Sequence, residues 1–374
     1  MADDSHKAQK INAALRSADR TTLRKLATTD GGLLSQKHRR GAWLSLLGEG
    51  LNDLPTAESL DSLEPHPEES QMELDINRAR PFDGHTIDLD KFKARLQRLI
   101  SRVLRLFPKL SYYQGLHDVA AVFLYVYGND EDSAFQCFAL MALHHLRDFM
   151  MPTINASVAI VKLVPELMKK WDKKCYDKLI MGTLEPFFCL SSVMTIFTHE
   201  IRDAETLSLI FDYVIGTGNI GFTIYLYDSL LMGESNKILE KVTLEDDIIS
   251  REDLVHNALS KFMCTLTLTV VQSALNDARD LMKIVKLIKI PGFRCLNRFS
   301  TLKTTGAGKR HPQSIKELER LLSKQLEWEE RTDPMGLSHV KSLASPKTVQ
   351  GALTTFVVVG VVGLAVRVWL ERSN

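Results

Sequence analysis

Between Leu89 and Phe107 the chain reads LDKFKARLQRLISRVLRLF. Leu89, Phe92, Leu96, Leu99, Ile100, Val103, Leu104 and Phe107 recur at the three- and four-residue intervals of one α-helical face. Pro108 predicts the end of that helix, because the residue before a proline avoids helical angles. The opposite face carries Lys91, Lys93, Arg95, Arg98, Arg102 and Arg105 and reads as a solvated basic surface. Residues 134–147 are apolar nearly all round, which predicts a central, buried helix. Asp203 stands where an N-cap belongs, ahead of a stripe of Leu207, Ile210, Phe211 and Val214. Ser250 with Asp253, and Ser314 with Glu317, have the spacing of a capping box before further apolar stripes. Neither strand-like alternation nor a fixed-period repeat breaks this pattern, so the predicted class is all-α, with many helices.

Two stretches lack periodicity. Residues 52–70 are acidic with three prolines and read as an exposed loop; residues 296–313 are basic and contain glycines and threonines. They divide the chain into a polar lead (1–32), a main domain (33–295) and a polar linker with one short helix (296–347). The 374 residues are 45% hydrophobic and 25% charged, a globular balance. With 47 basic against 46 acidic residues the net charge is +1, which gives no support to a nucleic-acid partner. Cysteines at 137, 175, 189, 264 and 295 are odd in number and form no CxxC pair. That argues against a disulfide framework or a thiolate metal site and for small buried hydrophobes. The polar start predicts no secretory signal.

Residues 348–366, TVQGALTTFVVVGVVGLAV, are 19 residues without a charge. As a helix they would extend roughly 28 Å, near the hydrocarbon thickness of a bilayer. Trp369 follows at the place of an interfacial aromatic, and Arg367 could snorkel to headgroups. A single transmembrane helix over 348–370 is therefore expected as a tail anchor; the competing reading is a buried C-terminal helix or strand.

Several motifs lose their chemistry in context. Gly216, Gly218 and Gly221 spell GxGxxG, but a helical stripe precedes them where a dinucleotide site needs a strand, so a helix-terminal turn is expected. GAGKR at 306–310 lacks the rest of a phosphate loop. His144 and His145 are adjacent, about 100° apart on a helix, and cannot share one metal. No GxSxG occurs. The chain is thus expected to hold no cofactor and no metal of its own.

Two segments remain. In LDINRARPF, Asp75 precedes Arg78 by three residues; in LSYYQGLHD, Tyr112, Tyr113, Gln114 and Gly115 follow the break at Pro108. Together and in this order they resemble the IPxxDxxR and YxQG segments of the TBC-domain family of Rab GTPase-activating proteins. HRRGAWLSLLG (38–48), with Arg39, Arg40, Trp43 and Leu47, is similar to that family's opening helix. Residues 188–231, around Phe197, Asp212 and Gly216, are similar to its C-terminal half. The resemblance covers about residues 35–245, and HHLRDFMMPT (144–153) with the C-terminal apolar run resembles the family's endoplasmic-reticulum-anchored branch. Gln71-Met72 stand where the family has Ile-Pro, Ala79 where Thr or Ser commonly follows the arginine, and Arg80 offers a second guanidinium.

The resemblance implies a chain that is not an enzyme by itself but completes a GTPase active site in trans. Arg78 would be an arginine finger and Gln114 a glutamine finger, acting on the GTP and Mg held by a Rab-type GTPase in its GTP form. Asp75 would orient Arg78 across one helical turn, and Tyr112, Tyr113 and Gly115 would shape the glutamine loop. A planar, permanently charged guanidinium suits the γ-phosphate oxygens, and a carboxamide can hold water and phosphate edge together. The implied setting is the endoplasmic reticulum and ER-to-Golgi vesicle traffic, with the N-terminal domain cytosolic; basic Arg367 and Arg372 leave the mitochondrial outer membrane as the alternative. A catalytically silent membrane-anchored scaffold, binding a Rab or shaping membrane, is the rival function.

Overall fold

Trp43 is wholly buried, and around it the core assembles: its ring stacks on Phe211 and meets Phe123 edge-on, each at 5.8 Å between centroids. Phe123 continues the cluster to Phe138 at 5.5 Å. These aromatics come from helices far apart in sequence, so the core is built by long-range packing of apolar faces. The computed structural model describes residues 2–48, 54–84, 88–242, 250–306 and 314–332. Among the described residues regular structure is helical throughout.

The N-terminal third contains α1 (Ala2–Arg16), α2 (Arg20–Ala27), α3 (Gln36–Leu47), α4 (Glu69–Arg78) and α5 (Leu89–Leu106). α6 (Leu116–Tyr127) and α7 (Glu131–Met141) follow, the latter running into a π-type turn over Ala142–Leu146. Short helices α8 (Asn155–Val161), α9 (Leu163–Trp171), α10 (Lys173–Lys178) and α11 (Leu190–Met194) lead to the long α12 (Ala204–Thr217) and α13 (Phe222–Val242). α14 (Arg251–Met263), α15 (Leu268–Ile284), α16 (Thr301–Thr304) and α17 (Ile315–Thr332) complete the set.

The expected caps are made: Asp203 and Ser250 accept from the backbone N–H groups of Thr206 and Asp253, and Ser314 Oγ from that of Glu317. The GxGxxG stretch closes α12, with Gly218 in the left-handed region (φ +69). At Gly216 the absence of a side chain lets α2 approach, since a Cβ there would lie 2.8 Å from that of Ala27.

Beside Trp43 lies a buried polar knot. Asp212 on α12 accepts from Trp43 Nε1 (2.7 Å), Arg39 Nε (3.0 Å) and the Leu33 backbone N–H (2.9 Å). Arg39 also reaches Glu205 at 3.0 Å. Burial pushes the Asp212 carboxyl above its ordinary value, and the Arg39 charge works against that shift.

Packing continues beyond residues 33–295 at both ends. Residues 1–332 form one compact unit. Within the polar lead, Ile11, Leu23 and Ala27 are fully buried, because α1 and α2 carry narrow apolar stripes that close on α3 and α12. In the expected linker, Leu302, Leu318 and Leu322 are buried and Asn297, Ser300, Thr301 and Gln325 are drawn inside with them. No single described helix is long and apolar enough to cross a membrane. The expected span over 348–370 lies outside the described residues.

Candidate functional site

Arg78 is the last helical residue of α4. Ala79 is already extended (φ −61°, ψ 142°) and Pro81 follows, so the helix cannot continue. The Arg78 side chain is exposed and makes no hydrogen bond or ion pair with any described residue. Its helix, by contrast, is fastened along its length to α5. Arg105 clasps both oxygens of Glu69 (2.7 and 2.8 Å), Gln97 Nε2 donates to Glu73 (2.7 Å), and Lys93 Nζ donates to the Asn77 carbonyl (2.7 Å).

Much of the basic face of α5 is therefore paired with acids, while Lys91 stays in solvent. Arg95 and Arg98 bind Glu131, and Arg102 grips Asp61 through two bonds of 2.7 Å. Bonding to Arg102 and Arg105 holds the Asp61 and Glu69 carboxyls below their ordinary values.

Gln114 sits on the loop between α5 and α6, directly after two anchored tyrosines. The Tyr112 hydroxyl donates to Asp75 at 2.9 Å and lies 3.1 Å from His117 Nδ1. The Tyr113 hydroxyl donates to the Met194 carbonyl at 2.9 Å, and the Ser111 backbone N–H to the Met150 carbonyl at 2.8 Å. Both tyrosines are buried, whereas Gln114 between Tyr113 and Gly115 is exposed, with no hydrogen bond to any described residue. The tyrosines before it are held, while Gln114 itself is exposed.

Asp75 has a different partner from the one expected. It was expected to orient Arg78, yet its carboxylate accepts from Tyr112, and no hydrogen bond or ion pair links it to Arg78. The reason is burial: Asp75 faces inward from α4 while Arg78 faces outward. Burial pushes the Asp75 carboxyl up, opposed by the Tyr112 bond and the His117 and Arg78 charges. Asp75, one turn before Arg78, therefore ties α4 to Tyr112, which stands two residues before Gln114 in the glutamine loop.

A second set of contacts, not anticipated from sequence, holds the segment after Arg78. Arg202 donates to the carbonyls of Arg80 (2.7 Å) and Pro81 (2.9 Å), and its own carbonyl accepts from the Asp83 N–H (3.2 Å). Its guanidinium lies over the Phe82 ring at 5.4 Å. Asp118, in the first turn of α6, faces both Arg202 (3.7 Å) and His199 (3.4 Å). The bond to Asp118 raises the His199 pKa above its ordinary value, although burial opposes it. Sequence separations near 120 residues hide Arg202 from any local motif; His117 and Asp118 were visible only as neighbours of YYQGL.

Gly115 is strained for any other residue. It is the N-cap of α6, at φ +100°, and a Cβ would lie 2.7 Å from Thr195 Cγ2. Gly115→Ala is expected to lower stability by about 1–3 kcal/mol, read from the denaturant midpoint. Adding Thr195→Ser removes the methyl and should recover only the steric part; full recovery would show that the backbone angle carries no cost.

A family model described as Rab-GTPase-TBC domain matches residues 36–239. The GTPase-activating protein GYP8 of Saccharomyces cerevisiae is 26% identical over 345 residues, 82% of this chain and 67% of that protein. The GTPase-activating protein gyp10 of Schizosaccharomyces pombe is 27% identical over 301 residues, 79% of this chain and 78% of that protein. Human TBC1 domain family member 20 is 29% identical over 214 residues, 56% of this chain and 53% of that protein. The fold agrees with the crystal structure of the Ypt/Rab-GAP domain of Gyp1p at a TM-score of 0.55 and 16% identity, over 71% of this chain and 93% of that domain. With the family model matched across α3 to α13, this chain belongs to the TBC-domain family of Rab GTPase-activating proteins.

Proposed function

We propose that this chain accelerates GTP hydrolysis on a Rab-type small GTPase in its GTP form, supplying Arg78 and Gln114 in trans. The observation that carries the reading is the contrast at the site. Two side chains with the right chemistry project free into solvent, while the residues beside them are buried, bonded and tied together by Tyr112 and Asp75. Preorganised charge and hydrogen-bonding groups, held by a rigid surround, are what a phosphoryl-transfer transition state requires from a protein. Arg78 would neutralise charge on the γ-phosphate oxygens, and Gln114 would orient the attacking water. GTP and Mg would come with the GTPase.

The test is single-turnover GTP hydrolysis across a panel of Rab proteins, with Arg78→Ala and Gln114→Ala beside the wild type. Stimulation of at least one Rab, lost in both variants, is the expected result. Rab binding without stimulation in the wild type would favour the silent scaffold instead.

The setting we propose is the endoplasmic-reticulum membrane, with residues 348–370 as anchor and a Rab of ER-to-Golgi traffic as substrate. The uncharged run of 19 residues and the likeness of residues 144–153 to the ER-anchored branch support it. Anchoring would bring enzyme-activating domain and lipidated GTPase together at raised effective concentration. A fluorescently tagged chain is expected on the endoplasmic reticulum and to lose membrane association when residues 348–374 are removed. Unchanged membrane association would refute the anchor, and mitochondrial staining the organelle.

A further inference from the structure

Residues 147–150 lie between the glutamine loop and the C-terminal helix. On one side, the Met150 carbonyl accepts from the Ser111 N–H at 2.8 Å, and the Phe149 ring meets Tyr113 edge-on at 6.4 Å. On the other, Arg147 and Asp148 hold Gln325 of α17 by both ends of its amide. Arg147 Nε donates to Gln325 Oε1 at 2.8 Å, and Gln325 Nε2 donates to Asp148 Oδ1. The Gln325 backbone carbonyl accepts from Asn297 Nδ2 at 3.0 Å.

All three side chains are buried, and the remaining polar atoms are satisfied as well. Arg147 also donates to the carbonyls of Leu143 (2.9 Å) and Phe299 (2.7 Å); Asp148 accepts from Ser300 Oγ (3.0 Å), the Thr301 N–H (2.7 Å) and the Thr301 hydroxyl. With every polar atom of these three side chains bonded, breaking one member leaves costly unpaired groups behind. A second tie is direct: Lys109 Nζ, at the start of the glutamine loop, donates to Ser323 Oγ of α17 at 3.0 Å.

We propose that α17 is a positioning element of the glutamine loop, acting through Gln325 on Arg147 and Asp148 and through Ser323 on Lys109. α17 lies beyond the residues matched by the family model, which end at 239. The inference rests on the reading of Gln114 as a finger. In mechanical terms, the helix that leads toward the expected membrane segment is the far wall of the loop that carries Gln114. Gln325, Ser323 and Asp148 touch no substrate; they set where the loop stands.

The test uses the full chain carrying Gln325→Leu, which keeps side-chain bulk and helix propensity but loses both amide bonds. Two readouts are compared: amide hydrogen exchange over residues 110–116, and kcat against KM for the stimulated GTPase. Exchange there is expected to rise about tenfold, because the Ser111 amide loses its fixed acceptor. The kcat is expected to fall about tenfold with KM little changed, since misplacing a catalytic group costs turnover more than encounter. Val271→Ala on α15 serves as the control for general loosening: with a comparable fall in Tm, it should alter neither readout.

Lys109→Met, at an exposed position, breaks only the second tie and should shift both readouts about two- to threefold; it carries the test alone if Gln325→Leu does not fold. Unchanged exchange over 110–116 overturns the proposal. So does unchanged kcat, provided Gln114→Ala lowers it. If Gln114→Ala has no effect, the finger reading has failed, and exchange alone decides whether α17 holds the loop.

Discussion

Arg78→Ala should cut stimulated GTP hydrolysis by about 10³–10⁵-fold, the range an arginine finger contributes to a GTPase. The fold should not notice. The side chain is exposed and bonds to no described residue, and surface substitutions of that kind stay within about 0.5 kcal/mol. Arg78→Lys should recover little, because a point charge cannot reproduce the planar fork that meets two phosphate oxygens. Gln114→Ala should lower the rate by about 10²–10³-fold, the scale of losing one positioned donor, again with Tm unchanged. Single-turnover rates and thermal melts on the same preparations separate lost chemistry from lost structure. A rate within threefold of wild type for Arg78→Ala, on a Rab the wild type stimulates, would remove Arg78 from the mechanism; Arg80 would then be the next guanidinium to test.

Asp212→Ala should act in the opposite way, through the fold alone. It removes the common acceptor of Trp43 Nε1, Arg39 Nε and the Leu33 N–H, all within 3.0 Å, and strands a buried guanidinium. Breaking one partner of a buried ion pair costs about 3–5 kcal/mol, a large share of the roughly 5–15 kcal/mol that keeps a domain folded. The expected observation is a markedly lower denaturant midpoint or insoluble protein, with any folded remainder still active. A loss below about 1 kcal/mol would mean that Arg39 finds Glu205 sufficient and that the knot is not cooperative.

The helices were legible where one residue's role depends on its near neighbours. The α5 stripe, the end forced by Pro108, and the caps at Asp203, Ser250 and Ser314 are local physics, and the structure contains each of them. The exposed stations of Arg78 and Gln114 were likewise consistent with short motifs. What escaped was polar pairing over distance. Arg95 lies 36 residues from Glu131 and Arg102 41 residues from Asp61, so their face reads as solvated until the fold brings the acids to it. Asp75 had a nearby arginine and a tyrosine 37 residues away, and burial decided for the tyrosine. Residues 296–332 looked like a linker because their anchors, Arg147 and Asp148, are more than 150 residues distant.

The fastening of α4 to α5 has a consequence for how the finger segment tolerates change. With Glu69, Glu73 and Asn77 all held, the helix is locked in register, and Arg78 projects in a direction set by its count from those three ties. Inserting or deleting one residue between Glu73 and Arg78 would swing the guanidinium by about 100° around the helix axis. Exchanging residues at fixed count does no such thing: Met72 simply buries its side chain, and Gln71 beside it lies in solvent. What this segment preserves is a phase rather than a wording, and Gln71-Met72 in place of Ile-Pro leaves that phase intact.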